Sequence, residues 1–139
     1  MAVDQKGANR TSVDAIPAVN ILARDAGGKA RGITDTLTLA AQIQNSTATM
    51  GTDVPPHCRI VRYSLIHAAL GSSTSYKLDH VDSAGSSTVV FATASTSSAG
   101  DIAGNVSIPL TLGGSLVLTQ TAVATGAGAI TLYVEYLVD

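Results

Sequence analysis

The run from Ala129 to Val138 constrains what this chain can fold into more than any other stretch. Ile130, Leu132, Val134, Tyr136 and Val138 alternate with Thr131, Tyr133, Glu135 and Leu137, and in an extended chain successive side chains point to opposite faces. The residue types are β-branched, aromatic and aliphatic, those that fit a pleated surface. At helical spacing the same apolar residues would scatter around the axis, so the pattern predicts a strand. A single strand leaves its backbone donors and acceptors unpaired, and the upstream sequence has to supply its partners. Tyr133 and Leu137 on the second face predict cover there too, which makes this a central strand and makes these two side chains candidates for a subunit interface.

Thr36 to Ile43 sets Leu37, Leu39, Ala41 and Ile43 against threonine, alanine and glutamine, the pattern of a half-buried strand. Residues 45–56 read as a polar connection held extended by Pro55 and Pro56. Arg59 to Ala68 reads as a strand covered on both faces, and Leu70 to Thr74 as the turn of a hairpin into Ser75–Asp82. Residues 88–93 follow as a short apolar strand, and residues 94–105, rich in Ser, Ala and Gly, as a surface loop. Val106 to Leu112 contains Pro109, which cannot donate to a ladder and puts its strand at an edge or a bulge. Gly113 and Gly114 predict a second hairpin, into Ser115–Thr121. Seven or eight short strands with no amphipathic helix predict an all-β fold, an antiparallel β-sandwich of jelly-roll type. The aromatic content of 4%, with no Trp, requires a core of Val, Leu, Ile and Ala, as thin sheets packed face to face would have.

Residues 1–31 have no such period and are interrupted by Gly7, Pro17, Gly27 and Gly28. Their one apolar cluster, residues 15–23, buries too little to order itself. The segment reads either as a frayed terminus or as an extended N-terminal arm that lies on a neighbouring subunit. In the second reading Ile16, Val19, Ile21 and Leu22 are its anchors, and Arg24 and Arg31 add charge. The organisation is then an arm over residues 1–31 and a β-sandwich body over 32–139. Charge follows the same division, with a net of +2 in residues 1–31 and −4 in the remainder.

A nucleic-acid binder would carry a dense Lys/Arg patch interleaved with aromatics, and none is present. Cys58, the single cysteine, allows no intrachain disulfide. The first residues lack the apolar region of a signal peptide, and no apolar run approaches the ~20 residues that cross a bilayer, so the expectation is a soluble protein made in the cytoplasm, with no membrane partner. Only 13% of residues are charged, which fits surfaces covered by copies of the same chain.

Chemistry-bearing residues are few. His57 and Cys58 are adjacent and would point to opposite faces of a strand. His80 and Asp82 could share a face, with His67 arriving across the predicted hairpin, a weak cluster on a polar rim. Residues 71–75 lack the glycine spacing of a nucleophile elbow, and Gly126-Ala-Gly128 lacks the third glycine and the helix of a dinucleotide loop. With one glutamate in the chain, a paired-carboxylate mechanism would rest on aspartates with no evident asymmetry. The expectation is no enzyme, no cofactor and no metal.

The succession of residues 36–43, Arg59-Ile-Val-Arg-Tyr-Ser-Leu65, Ala69-Leu-Gly-Ser-Ser-Thr74, Phe91-Ala92 and Gly128 to Tyr136 resembles the head decoration, or cement, proteins of tailed double-stranded DNA bacteriophages, those of the Chi-like siphovirus type included. The resemblance spans about residues 33–138. It implies a β-sandwich or β-tulip body, a homotrimer on the outer capsid surface that bridges major capsid protein subunits, and an N-terminal arm on the major capsid protein. That family has no catalytic residue to carry over, and its place is the virion. Phage tail and fibre proteins share similar strand and turn habits, so the alternative is a tail module that binds a host receptor or carbohydrate through residues 71–75 and 83–87.

Overall fold

The alternation in the last strand is realised residue by residue. Ile130, Leu132, Val134 and Tyr136 are buried, while Thr131, Tyr133 and Glu135 are only partly covered and Leu137 is exposed. The computed structural model describes residues 4–8, 10–11 and 30–138. Their strands are β1 (Asp4–Lys6), β2 (Ala30–Gln42), β3 (Thr47–Val54), β4 (Cys58–His67), β5 (Ser75–Asp82), β6 (Ser87–Ser95), β7 (Gly100–Leu110), β8 (Gly114–Gln120) and β9 (Gly126–Val138). They form two facing sheets, one in the order β1-β3-β8-β5-β6 and one in the order β2-β9-β4-β7. All pairings are antiparallel except that of β1 with β3. The fold is an all-β sandwich, as its strand periodicity predicts.

β9 lies between β2 and β4, with Val134 opposite Ile33 on one side and Tyr63 on the other. The strand is therefore central, and so is β4, which pairs with β9 and β7. Pro109 stands on β7, the sheet edge, opposite Arg59; its missing N–H is tolerated there.

Four expectations about connectivity fail, for two reasons. Residues 45–56 contain β3, and residues 94–105 contain the first half of β7; both strands are built largely from Thr, Ala, Gly and Asn, whose small or polar side chains mask the period-two signal. In β3, Ala48 and Met50 nevertheless point into the core and are fully buried. The predicted hairpins β4–β5 and β7–β8 do not exist, because in each case the two strands belong to opposite sheets. Leu70–Thr74 and Thr111–Gly113 cross from one sheet to the other. A glycine-rich link between two apolar runs carries no mark of whether the chain turns back beside itself or crosses the core. Among strands consecutive in sequence, only β5 and β6 pair with each other.

The core is mostly aliphatic, with Leu39, Ile60, Leu65, Leu78, Leu116 and Leu118 almost wholly inaccessible, each such side chain contributing roughly 1.5–3 kcal/mol on burial. It also takes Tyr76, Phe91 and Tyr136, so the few aromatics are not left out of it. Tyr63 from one sheet stacks on Phe91 from the other, with ring centroids 5.3 Å apart. One end of the sandwich closes with polar groups. The Tyr76 hydroxyl donates to Gln42 Oε1 at 3.0 Å, and Gln42 Nε2 donates to Gln5 Oε1 at 3.1 Å. Burial pushes the Tyr76 phenol up to about 12, so it remains a donor throughout the physiological range.

Candidate interaction surfaces

Two surfaces stand out. The first is the seat of the N-terminal hook, residues 4–11. Asp35 occupies an inward position of β2, in register with Ile33, Leu37 and Leu39, and is 2% exposed. A buried carboxylate is costly unless hydrogen-bonded, and Asp35 is. Its Oδ2 accepts from Gly51 N–H at 2.7 Å and Arg10 N–H at 3.3 Å, and its Oδ1 accepts from Thr36 N–H at 2.8 Å. Gly7 lies so close that a Cβ there would stand 1.9 Å from Asp35 Oδ2. The hook is held further along its length: Thr47 Oγ1 donates to Asp4 at 2.8 Å, Ala40 N–H donates to Gln5 at 3.1 Å, and the Arg10 guanidinium reaches Asp53 and Ser115.

The second surface is the outer face of the four-stranded sheet. Threonines 34, 36 and 38 of β2 share it with Tyr133 and Leu137 of β9, Arg59, Arg62 and Ile66 of β4, and Asp101 and Asn105 of β7. Arg59 donates to Ser107 and Ser64 to Asp101, both at 2.7 Å. The Tyr133 ring lies across Gly32, where a Cβ would stand 2.9 Å from the ring, and its hydroxyl donates to Glu135 at 2.9 Å. Burial, and then that bond and the Glu135 charge, hold the Tyr133 phenol above its ordinary value against the opposing charge of Arg62. Ile66 and Leu137 remain 57% and 40% exposed. The face carries mostly polar and charged side chains, punctuated by Ile66 and Leu137.

Of the residues expected to bind partners, Tyr133 and Leu137 share this face. Arg31 stands in β2 opposite Tyr136, at the start of a body strand. Ile16, Val19, Ile21, Leu22 and Arg24 lie outside the described residues. The hook residues Gln5, Gly7 and Arg10 have no sequence signal. Asp35 has one, a carboxylate in a register position otherwise filled by Ile33, Leu37 and Leu39.

The histidines do not gather. His67 belongs to the four-stranded sheet, with Nδ1 2.9 Å from the Ala68 carbonyl oxygen, whereas His80 and Asp82 belong to the other, so His67 does not join them. His57 is exposed in a turn with φ of 59°, and Cys58 is buried at the start of β4. His80 is 1% exposed, and its Nε2 has no hydrogen-bond partner among the described residues. Burial holds its pKa below the ordinary value, with Asp82 and Asp53 pulling the other way. It lines a cleft of about 440 Å³ with Asp82, Thr88 and the β7–β8 crossover. Among the described residues, no three His, Cys, Asp or Glu side chains are grouped to hold a metal ion.

No family model matches the sequence, and comparison with curated proteins returned no relative. Solved structures do share the fold. One chain in the capsid of Ralstonia phage GP4 is 16% identical, with a TM-score of 0.65 over 97% of each chain. A chain of the cyanophage Pam1 capsid asymmetric unit is 16% identical, with a TM-score of 0.60 over 92% of this chain and 96% of that one. A chain in the acid-stable capsid of Helicobacter pylori bacteriophage KHP30 is 12% identical, with a TM-score of 0.54 over 80% and 89%. At these identities the likeness is one of fold, and it runs nearly end to end in the first two.

Proposed function

We propose that this chain is a non-enzymatic virion structural protein that decorates the outer surface of a phage capsid and stabilises it by bridging major capsid protein subunits. The observation that carries the reading is the end-to-end match of the sandwich to a chain of equal span in the GP4 capsid, with two further phage capsids holding chains of the same fold. The outer sheet face supports it, since its polar and charged side chains, Arg59, Arg62, Asp101 and Glu135 among them, suit repeated, modest contacts. Each contact is weak, and avidity over a symmetric shell multiplies them. In this reading the protein is a homotrimer, Tyr133 and Leu137 lie between its copies, and Ile16, Val19, Ile21, Leu22, Arg24 and Arg31 contact the major capsid protein.

The test is stoichiometry followed by excision. Quantitative densitometry of purified particles should find the chain in proportion to the major capsid protein; a few copies tied to the tail would favour the receptor-binding alternative. Replacing residues 12–29 by a Gly/Ser linker of equal length keeps β1 and β2 while removing the proposed anchors other than Arg31. The folded variant should no longer bind capsids that lack the protein, and undiminished binding would overturn the arm's role.

A further inference from the structure

The hook at residues 4–11 docks on a receptor that the rest of the sandwich builds without it. The Asp35 carboxylate is already engaged by Gly51 and Thr36, and Thr47, Gln42, Asp53 and Ser115 stand on strands paired independently of β1. The contacts that seat the hook are polar, from Asp4, Gln5 and Arg10, together with the close approach of Gly7. β1 is also the one parallel strand among the described residues, and its partner β3 lies beyond β2 in sequence. No local turn ties the hook to its seat.

What ties it is the chain between Thr11 and Ala30. At roughly 3.3–3.6 Å per residue, residues 12–29 reach at most about 60 Å, whereas a domain of this length has a radius of gyration of about 14 Å. Connections in compact domains are typically about 4–6 residues. A span of chain that can reach that far lets the hook dock on its own sandwich or on a neighbour's with the same set of contacts.

We propose that in the assembled oligomer the hook is exchanged: residues 4–11 of one copy dock on the β3 edge and the Asp35 carboxylate of a second copy, which thereby receives Gln5, Gly7 and Arg10 from its partner. The inference rests on the reading that copies of this chain assemble. Because the hook's contacts are the same in either arrangement, exchange sacrifices none of them and fastens the copies together, the low-cost route to an oligomer that swapped elements provide. Each further docking in a closed ring is intramolecular and gains effective concentration.

Asp4 and Thr47 touch across the docking interface, which gives the test. Chains carrying Asp4→Cys alone and Thr47→Cys alone are co-expressed, the oligomer is isolated, and disulfides are formed by mild oxidation. The expected result is a disulfide-linked two-chain band in the mixture, with none in either variant alone or in the parent, whose Cys58 is buried. The double variant on one chain should yield linked multimers up to the oligomer size. Intrachain product only, or no cross-link in any sample, overturns the exchange. An oligomer that forms with intrachain links, or a monomer that still binds capsids, overturns the exchange and leaves the decoration reading standing; loss of capsid binding by the parent protein overturns that reading instead.

Discussion

Replacing Asp35 with alanine removes the acceptor around which the hook, β2 and the Gly51 segment are gathered. Gly51 N–H is buried and would lose its partner, at about 1–3 kcal/mol for an unsatisfied buried donor. The bonds from Thr36 and Arg10 would be lost as well, at roughly 0.5–1.5 kcal/mol each where water cannot replace them. Part of this is recovered, because the cost of desolvating the carboxylate also disappears. The expected net loss is about 2–4 kcal/mol. With an unfolding entropy near 2.1 cal/mol/K per residue, each kcal/mol lowers the Tm of a chain this long by about 3 °C, so the midpoint should fall by roughly 6–12 °C. Urea denaturation followed by far-UV circular dichroism gives the free energy directly, and the absence of tryptophan makes backbone ellipticity the better probe. Asp35→Asn keeps one carbonyl acceptor and should lose less, about 1–2 kcal/mol. A loss under about 1 kcal/mol for Asp35→Ala, or asparagine costing more than alanine, would refute the account of Asp35 as a hydrogen-bonded clamp.

Gly7→Ala drives a methyl group into Asp35 and should release the hook while the body stays folded; limited proteolysis should then cut near the N-terminus, and a hook as protected as in the parent would contradict the close approach. For His80 the sign follows from its lowered pKa. The unfolded chain takes up the proton near pH 6.5 and the folded chain only at lower pH, so this contribution to stability is complete above about pH 7 and declines as pH falls from there toward the folded value. His80→Leu should remove that part of the slope between pH 7.5 and 5.5 and leave stability at neutral pH unchanged or up to about 1 kcal/mol higher, since an unpaired buried nitrogen is replaced by carbon; parallel slopes for parent and variant in urea titrations would refute it. Leu118→Ala in the closed core should cost about 2–5 kcal/mol by the same assay. Tyr133→Asp places a carboxylate beside Glu135 on the outer sheet face and should weaken assembly, read by size-exclusion chromatography, while the monomer loses under about 1 kcal/mol; outright unfolding would assign Tyr133 to the protomer's own packing.

The strands legible in the sequence are those whose inward positions are large. β9 is written by Ile130, Leu132, Val134 and Tyr136, and the existence of β4 by its apolar residues, although alternation puts Ile60 on the face opposite Leu65 and the bulge between Ile60 and Arg62 turns both inward. Pro109 correctly marks an edge, because its constraint is chemical and local. β3 and the first half of β7 were not legible, since Ala48 or Gly104 at an inward position is indistinguishable from a loop residue until a partner is known; Gly104 is in fact covered by the Tyr63 ring opposite it. Sheet membership was not legible either, because nothing within a short connection records whether the chain returns or crosses. The candidate surfaces follow the same division. The outward placement of Tyr133 and Leu137 is legible from alternation, whereas the hook depends on contacts across the sequence, such as that of Arg10 with Asp53, that no local pattern encodes.

The scarcity of neighbouring strand pairs has a consequence for how the chain comes to be folded. With β5 and β6 as the one local pair among the described strands, nearly every ladder there joins segments far apart in sequence, and the entropy of closing those loops must be met before the pairing is rewarded. Folding on the millisecond-to-second scale is expected for such a topology. On the ribosome, β2 and β4 emerge early but cannot join until β9 arrives to lie between them. For most of its synthesis the chain therefore carries half a sandwich with open edges, exposed to wrong partners. With only 13% of residues charged, the waiting strands carry few groups that oppose mispairing until β9 closes the sheet.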